Sequence, residues 1–145
     1  MALGKFSIHW KSSIQTRKQR KYRHNAPNHI RHKFMSAPLS SDLRTSYGIR
    51  NIPVRSGDTV TITTGQFKGH SGKIASINLA KVKVKVEGAE LLKRDGTKVM
   101  YPINPSNVMI TKLDLSDDLR KAKIEKRASQ IKESSKQKDK KEAKN

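Results

Sequence analysis

The chain has 145 residues, 33% of them hydrophobic, and its 32 Lys and Arg outnumber 12 Asp and Glu to give a formal charge of +20. An apolar share so far below the ~45–50% of ordinary globular domains excludes a single core spanning the whole chain, and the self-repulsion of so much positive charge points to a polyanionic partner. Cysteine is absent, which excludes disulfides, thiolate metal sites and cysteine nucleophiles; no apolar run approaches the ~18 residues of a membrane span and Met1–Lys5 lacks a signal peptide's apolar stretch, so the sequence reads as soluble and intracellular.

Residues 1–50 hold eleven Lys and Arg against one acid, Asp42, a net charge of +10, together with His9, His24, His29 and His32. Residues 10–25 have too little apolar periodicity to bury anything and are expected to be extended or disordered until bound. After Pro27 a short helical turn through Ile30 and Phe34 is expected. Leu39, Leu43 and Tyr47 stand four apart, one stripe of a short helix that docks on the folded part and stops at Gly48.

Residues 51–113 carry a net +6 and nearly all of the period-two alternation that places side chains on opposite faces of a strand. Val60 and Ile62 alternate with threonines, and Lys81–Val86 alternates without a break, three valines against three lysines. Shorter runs at Lys73–Ile77, Lys98–Tyr101 and Val108–Thr111 bring the total to five strands. Turn residues separate them at Gly57-Asp58, Gly65 to Gly72, Gly88, Asp95-Gly96 and Pro102 to Pro105. Closely spaced short strands with no intervening helix imply a mainly β protein, a small antiparallel barrel or rolled sheet. Residues 114–145 carry a net +4; Ser116-Asp-Asp-Leu119 reads as a helix start with a capping hydroxyl and two acids at the positive end of the dipole. In that helix Leu119, Ala122 and Lys126 share one side and Ile124, Ala128 and Ile131 another, and the Lys-rich tail beyond Ser134 reads as frayed or disordered. The expected organisation is thus a basic RNA-binding arm (1–35), a short helical segment (36–50), a barrel (51–113) and a charged helical extension (114–145).

The loop between the first two barrel strands contains Gly65, Gly69 and Gly72 with Lys68 and Lys73. Such a loop either offers backbone N–H groups and ammonium groups to a phosphate or is a hairpin with ordinary turn glycines; the pattern alone leaves both open. In the arm, Arg17, Lys18, Arg20, Lys21, Arg23, Arg31 and Lys33 occur with no acid, so ordering them needs anions, while the planar Tyr22, His24, His29 and His32 suit stacking on unpaired bases. The Lys81, Lys83 and Lys85 face is either solvated or lies along a phosphate backbone. His24, His29 and His32 sit among cations that repel a dication, so no metal is expected. No pair of carboxylates reads as held in a desolvated cleft. The glycine spacing is not that of a nucleotide-binding loop, with Ile74 where Ser or Thr would meet magnesium, so neither an enzyme nor a cofactor or small-molecule substrate is expected.

The segment from Val54 to Asn78 resembles a KOW motif, with Gly65, Lys68, Gly69, Gly72 and the alternating Val60, Ile62, Ile74 and Ile77 where that motif has them. With Asn25–Arg44 and Ile52–Asp58, the chain from about residue 17 to 127 resembles the universal KOW-type large-subunit ribosomal protein in its eukaryotic cytosolic form. The resemblance implies an SH3-like five-stranded barrel on the outer surface of the large subunit beside the polypeptide exit tunnel. It also implies contact with the 5′ region of large-subunit rRNA, proximity to 5.8S rRNA and neighbouring ribosomal proteins, assembly in the nucleolus and residence in the cytoplasm, with no membrane. Asn104-Pro105-Ser106 departs from the family's common His-Pro-Ser turn. The expected RNA-binding residues are Arg17, Lys18, Arg20, Lys21, Tyr22, Arg23, His24, His29, Arg31, His32, Lys33, Arg55, Gly65, Lys68, Gly69, Gly72 and Lys73. A KOW-bearing transcription elongation or RNA-processing factor is the alternative, but it would normally bring a further folded domain and more acidic linkers. A DNA-architectural protein is a third, without a groove-reading helix to support it.

Overall fold

The computed structural model describes residues 6–7 and 12–142, with side chains described as far as Ile131. Five antiparallel strands, β3 (Thr59–Ile62), β4 (Ser71–Asn78), β5 (Lys83–Leu92), β6 (Lys98–Ile103) and β7 (Val108–Lys112), form one sheet in the order β6-β5-β4-β3-β7. These are the five strands expected from the alternation. The sheet is that of a small SH3-like barrel left unclosed, since β6 and β7 do not pair. Register sets Val60 opposite Ile110, Ile62 opposite Val108, Ile74 opposite Val86 and Ile77 opposite Val84. Of these, all but the half-buried Ile77 are buried, each contributing on the order of 1.5–3 kcal/mol by leaving water.

A two-stranded sheet, β1 (Ser36–Pro38) with β2 (Asn51–Pro53), closes over the core from the N-terminal side. Leu39 forms a parallel bridge with Ile110, and the Ser40 N–H donates to the Ile110 carbonyl at 2.9 Å. Between β1 and β2 lies helix α3 (Ser41–Tyr47), which ends as expected at Gly48, whose N–H closes on the Arg44 carbonyl at 2.7 Å. Leu43 and Tyr47 pack on the core; Leu39, although in phase with them, precedes the helix and is itself fully buried. The core cluster runs from Met35 to Ala128 and includes Ile124 and Ala128 of the C-terminal helix α4 (Asp118–Glu142).

Beyond Leu39, which precedes α3, and Pro102, which lies inside β6 and not in a turn, the structure corrects the sequence reading in five places. The arm is not extended over its basic stretch: α1 (Thr16–Asn25) and α2 (Asn28–Phe34) are helical, separated by Pro27, which cannot continue a helix inward. Arg, Lys and Gln are good helix formers, and that propensity acts without any buried residue in α1; residues 10–11 lie outside the described residues. Strand β5 begins at Lys83, because Lys81 and Val82 turn the chain, with Val82 at φ +52°. Gly88 is no turn between strands but sits inside β5 at a register shift, with φ +81°. The helix start is capped by Asp117, whose Oδ1 accepts from the Leu119 N–H at 2.9 Å, while the Ser116 hydroxyl donates instead to Asp114. Finally, α4 runs past Ser134 to Glu142, again through good helix formers, and among its described side chains only the Ile124, Ala128 and Ile131 side meets the core; Leu119 is exposed.

Candidate nucleic-acid interface

The basic residues of the arm collect on a two-helix unit. Tyr22 of α1 has its ring 4.8 Å from that of Phe6 and 6.1 Å from that of Phe34 in α2, so the Tyr22 side of α1 faces inward. At 100° per residue, Arg17, Arg20 and His24 then fall on the opposite side, flanked by Lys21 and Arg23. All five are exposed, as are Lys18, His29, His32 and Lys33. Arg31 is half-buried and braces the two helices, donating from its guanidinium to the His24 carbonyl at 2.7 Å, one of the orphan carbonyls at the end of α1. The unit is joined to the barrel through the Val54 N–H, which donates to the Met35 carbonyl at 2.9 Å. Of the aromatic and imidazole groups expected to stack on bases, the three histidines remain outward, whereas Tyr22 is occupied within the protein.

The second cluster is the loop from Thr63 to His70 that joins β3 to β4. The Gly69 N–H donates to the Ile62 carbonyl at 2.8 Å and the Lys68 N–H to the Gly65 carbonyl at 3.2 Å, which folds the loop back on itself. Gly65 and Gly69 take φ of +101° and +87°, and nothing lies within 4 Å of the place a Cβ would occupy, so glycine is needed there for backbone conformation alone. Among the described residues the N–H groups of Thr64, Gly65, Gln66 and Phe67 have no intramolecular acceptor, and Lys68 is exposed beside them. N–H groups free of internal acceptors beside an ammonium group are chemically able to hold an anion. Gly72 answers a different need: a Cβ there would lie 2.5 Å from the Glu87 carbonyl oxygen, so it permits β4 and β5 to approach.

Arg55 and Lys73 belong to neither cluster. Arg55 forms an ion pair with Asp117, and its guanidinium hydrogen bond holds the Asp117 carboxyl below the usual carboxylate range. Lys73 lies near Asp114, whose carboxyl is lowered first by the hydroxyl and N–H of Ser116 and further by the charges of Arg120 and Lys73. Beneath them is a pair that residue-by-residue reading did not single out. Asp58, 0% exposed, accepts from both terminal nitrogens of Arg120, 6% exposed, at 2.6 and 2.7 Å. Asp58 also accepts from the N–H groups of Arg55 and Asp114, and Arg120 also donates to the carbonyls of Asp114 and Pro53. Every lone pair and proton facing inward is thereby matched, which is what keeps a buried charge pair tolerable. An Asp after the turn glycine Gly57 looked like turn chemistry; its partner lies 62 residues away.

Among the described residues no group of three or more His, Asp or Glu could hold a metal ion, and no helix is long and apolar enough to cross a membrane. The family that unites the eukaryotic ribosomal proteins L26 with their archaeal L24 counterparts matches residues 13–127. The large ribosomal subunit protein uL24 of Pyrobaculum islandicum is 47% identical over 116 residues, 80% of this chain and 94% of the relative. That of Korarchaeum cryptofilum is 46% identical over 116 residues, 80% of this chain and 88% of the relative.

Proposed function

Because the chain belongs to the family of eukaryotic L26 and archaeal L24 ribosomal proteins, we propose that it is a structural constituent of the large subunit that binds rRNA through α1, α2 and the β3–β4 loop. The family is one of structural ribosomal proteins and not an enzyme class, and the proteins it resembles lend no support to an elongation-factor role. In the proposed seating the barrel is a rigid wedge on the 5′ region of large-subunit rRNA, near 5.8S rRNA and the exit tunnel. It is incorporated during nucleolar assembly and retained in cytoplasmic ribosomes beside neighbouring ribosomal proteins.

The observation that carries the reading is the exposed, acid-free helix α1. Five Lys and Arg within ten residues repel one another in the free protein, and a phosphate backbone removes that repulsion. The mode differs from base stacking by a flexible arm: a preformed helix presents Arg17, Arg20 and His24 as one stripe, and phosphates supply the affinity. If each of the five bases of α1 neutralises a phosphate at about −0.7 to −0.9 in the log–log salt slope, binding of a large-subunit rRNA fragment should follow a slope of about −3.5 to −4.5 or steeper. A slope near −1 or flatter overturns the proposal. Stable co-sedimentation with large subunits in high salt is the companion measurement, and recovery with polymerase instead would restore the elongation-factor alternative.

A further inference from the structure

Beside the β3–β4 loop a crevice of about 120 Å³ opens between the loop and the segment that leads from β6 into β7. Phe67 and Tyr101 form its aromatic wall, with ring centroids 5.6 Å apart and tilted by 46°, and Tyr101 is 38% exposed. Gln66 and Asn104 line it, their side-chain amides taking no intramolecular partner among the described residues, and Lys83 stands at its side without an ion pair. The space is well below the ~300–1,000 Å³ of a small-molecule or cofactor site, so it suits one planar group.

We infer that this crevice receives a single unpaired nucleobase of the RNA, stacked on Tyr101 and read at its edge by the amides of Gln66 and Asn104. Three features select a base over a bare phosphate. A phosphate wants converging cations and N–H groups, whereas the wall here is an aromatic face, on which every base can stack. An amide offers a donor and an acceptor side by side, the pattern found along a base edge and absent from phosphate. The unpaired N–H groups of Gly65 and Gln66, with Lys83 and Lys68, are left to meet the phosphate attached to that same nucleotide. The protein would then use two distinct modes, α1 for phosphate rows and the crevice for one base. The inference rests on the rRNA reading above but adds a contact that α1 does not make.

The test uses the full chain and a short RNA stem, with or without a single-stranded tail, measured by fluorescence anisotropy. For the wild type, the tail should tighten binding about 5- to 150-fold, the range for one base stacked on an aromatic side chain. Tyr101→Leu and Asn104→Ala should each lose most of that gain while binding the bare stem as the wild type does; Asn104 is exposed, so its variant retains the fold if Tyr101→Leu disturbs Phe67. Absence of any gain in the wild type, or a full gain in both variants, overturns the crevice as a base site and leaves the rRNA reading standing. If the wild type binds neither RNA, the rRNA reading falls and the crevice with it.

Discussion

Replacing Asp58 with Asn perturbs the join between the barrel and α4 with almost no change of shape. The carboxylate accepts four hydrogen bonds, two from Arg120 at 2.6 and 2.7 Å, one from the Arg55 N–H at 2.9 Å and one from the Asp114 N–H at 3.0 Å. An amide NH₂ must face one pair of these donors, and the Arg120 cation is left buried without a counter-charge. Removing one partner of a buried pair costs about 3–5 kcal/mol, and 1 kcal/mol moves the melting temperature of a domain this size by about 4 °C. A fall of about 12 °C or more is therefore expected by circular dichroism melting. Asp58→Leu combined with Arg120→Met removes both charges and should recover part of the loss, the remainder reflecting the Arg55 and Asp114 N–H groups left without their acceptor. A single variant that melts within about 4 °C of the wild type would refute the reasoning.

Gly69→Val places a β-branched residue at φ +87° in open space, so it should cost about 1–2 kcal/mol and raise hydrogen exchange in the loop alone. Gly72→Ala puts a Cβ 2.5 Å from the Glu87 oxygen and should raise exchange along β4 and β5 as well, with a loss of about 1–3 kcal/mol in urea unfolding. The carboxyls of Asp114 and Asp117 are both held below their ordinary value of 3.8 in the folded protein, so their contribution is complete above that pH and lost as pH falls through the lower folded-state values. Melting temperature should accordingly drop more steeply below about pH 4 in the wild type than in Asp114→Asn with Asp117→Asn. Charge reversal at Lys18, Arg20 and Lys21 should weaken rRNA binding and flatten its salt slope while leaving melting within about 0.5 kcal/mol of the wild type, because all three are exposed.

What was legible in the sequence was what local pattern controls. Alternation at Val60, Ile62, Ile74, Val84 and Val108 placed four of the five strands and their inward faces, and spacing at Leu43, Tyr47 and Gly48 placed α3 and its stop. The concentration of positive charge in the arm was recognisable, but its helicity was not: burial logic gives no reason for α1 to order, and propensity with the inward Tyr22 ring supplied one. The glycines divided in a way pattern could not show, since Gly69 answers to its own φ and Gly72 to a carbonyl on another strand. Pairings across long separations were equally invisible. Asp58 with Arg120, Arg55 with Asp117, and the crevice joining Gln66 to Asn104 all depend on how β3, β7 and α4 come together.

The Asp58–Arg120 pair also sets an order on the nascent chain. Every strand of the sheet has been synthesised by Lys112, yet the buried carboxylate has no counter-ion until residue 120 emerges, 62 positions after it was made. The last strand precedes Arg120 by only eight residues, about 0.4–1.6 s at about 5–20 residues per second, which is still far longer than the collapse of a small sheet. During it, closing the barrel over Asp58 would bury an unpaired carboxylate, so the barrel remains partly open with that group in water. A chain ending at Leu119 should thus be cut by protease in the barrel where one ending at Arg127 resists, and the last quarter of the sequence acts as the latch that commits the rest.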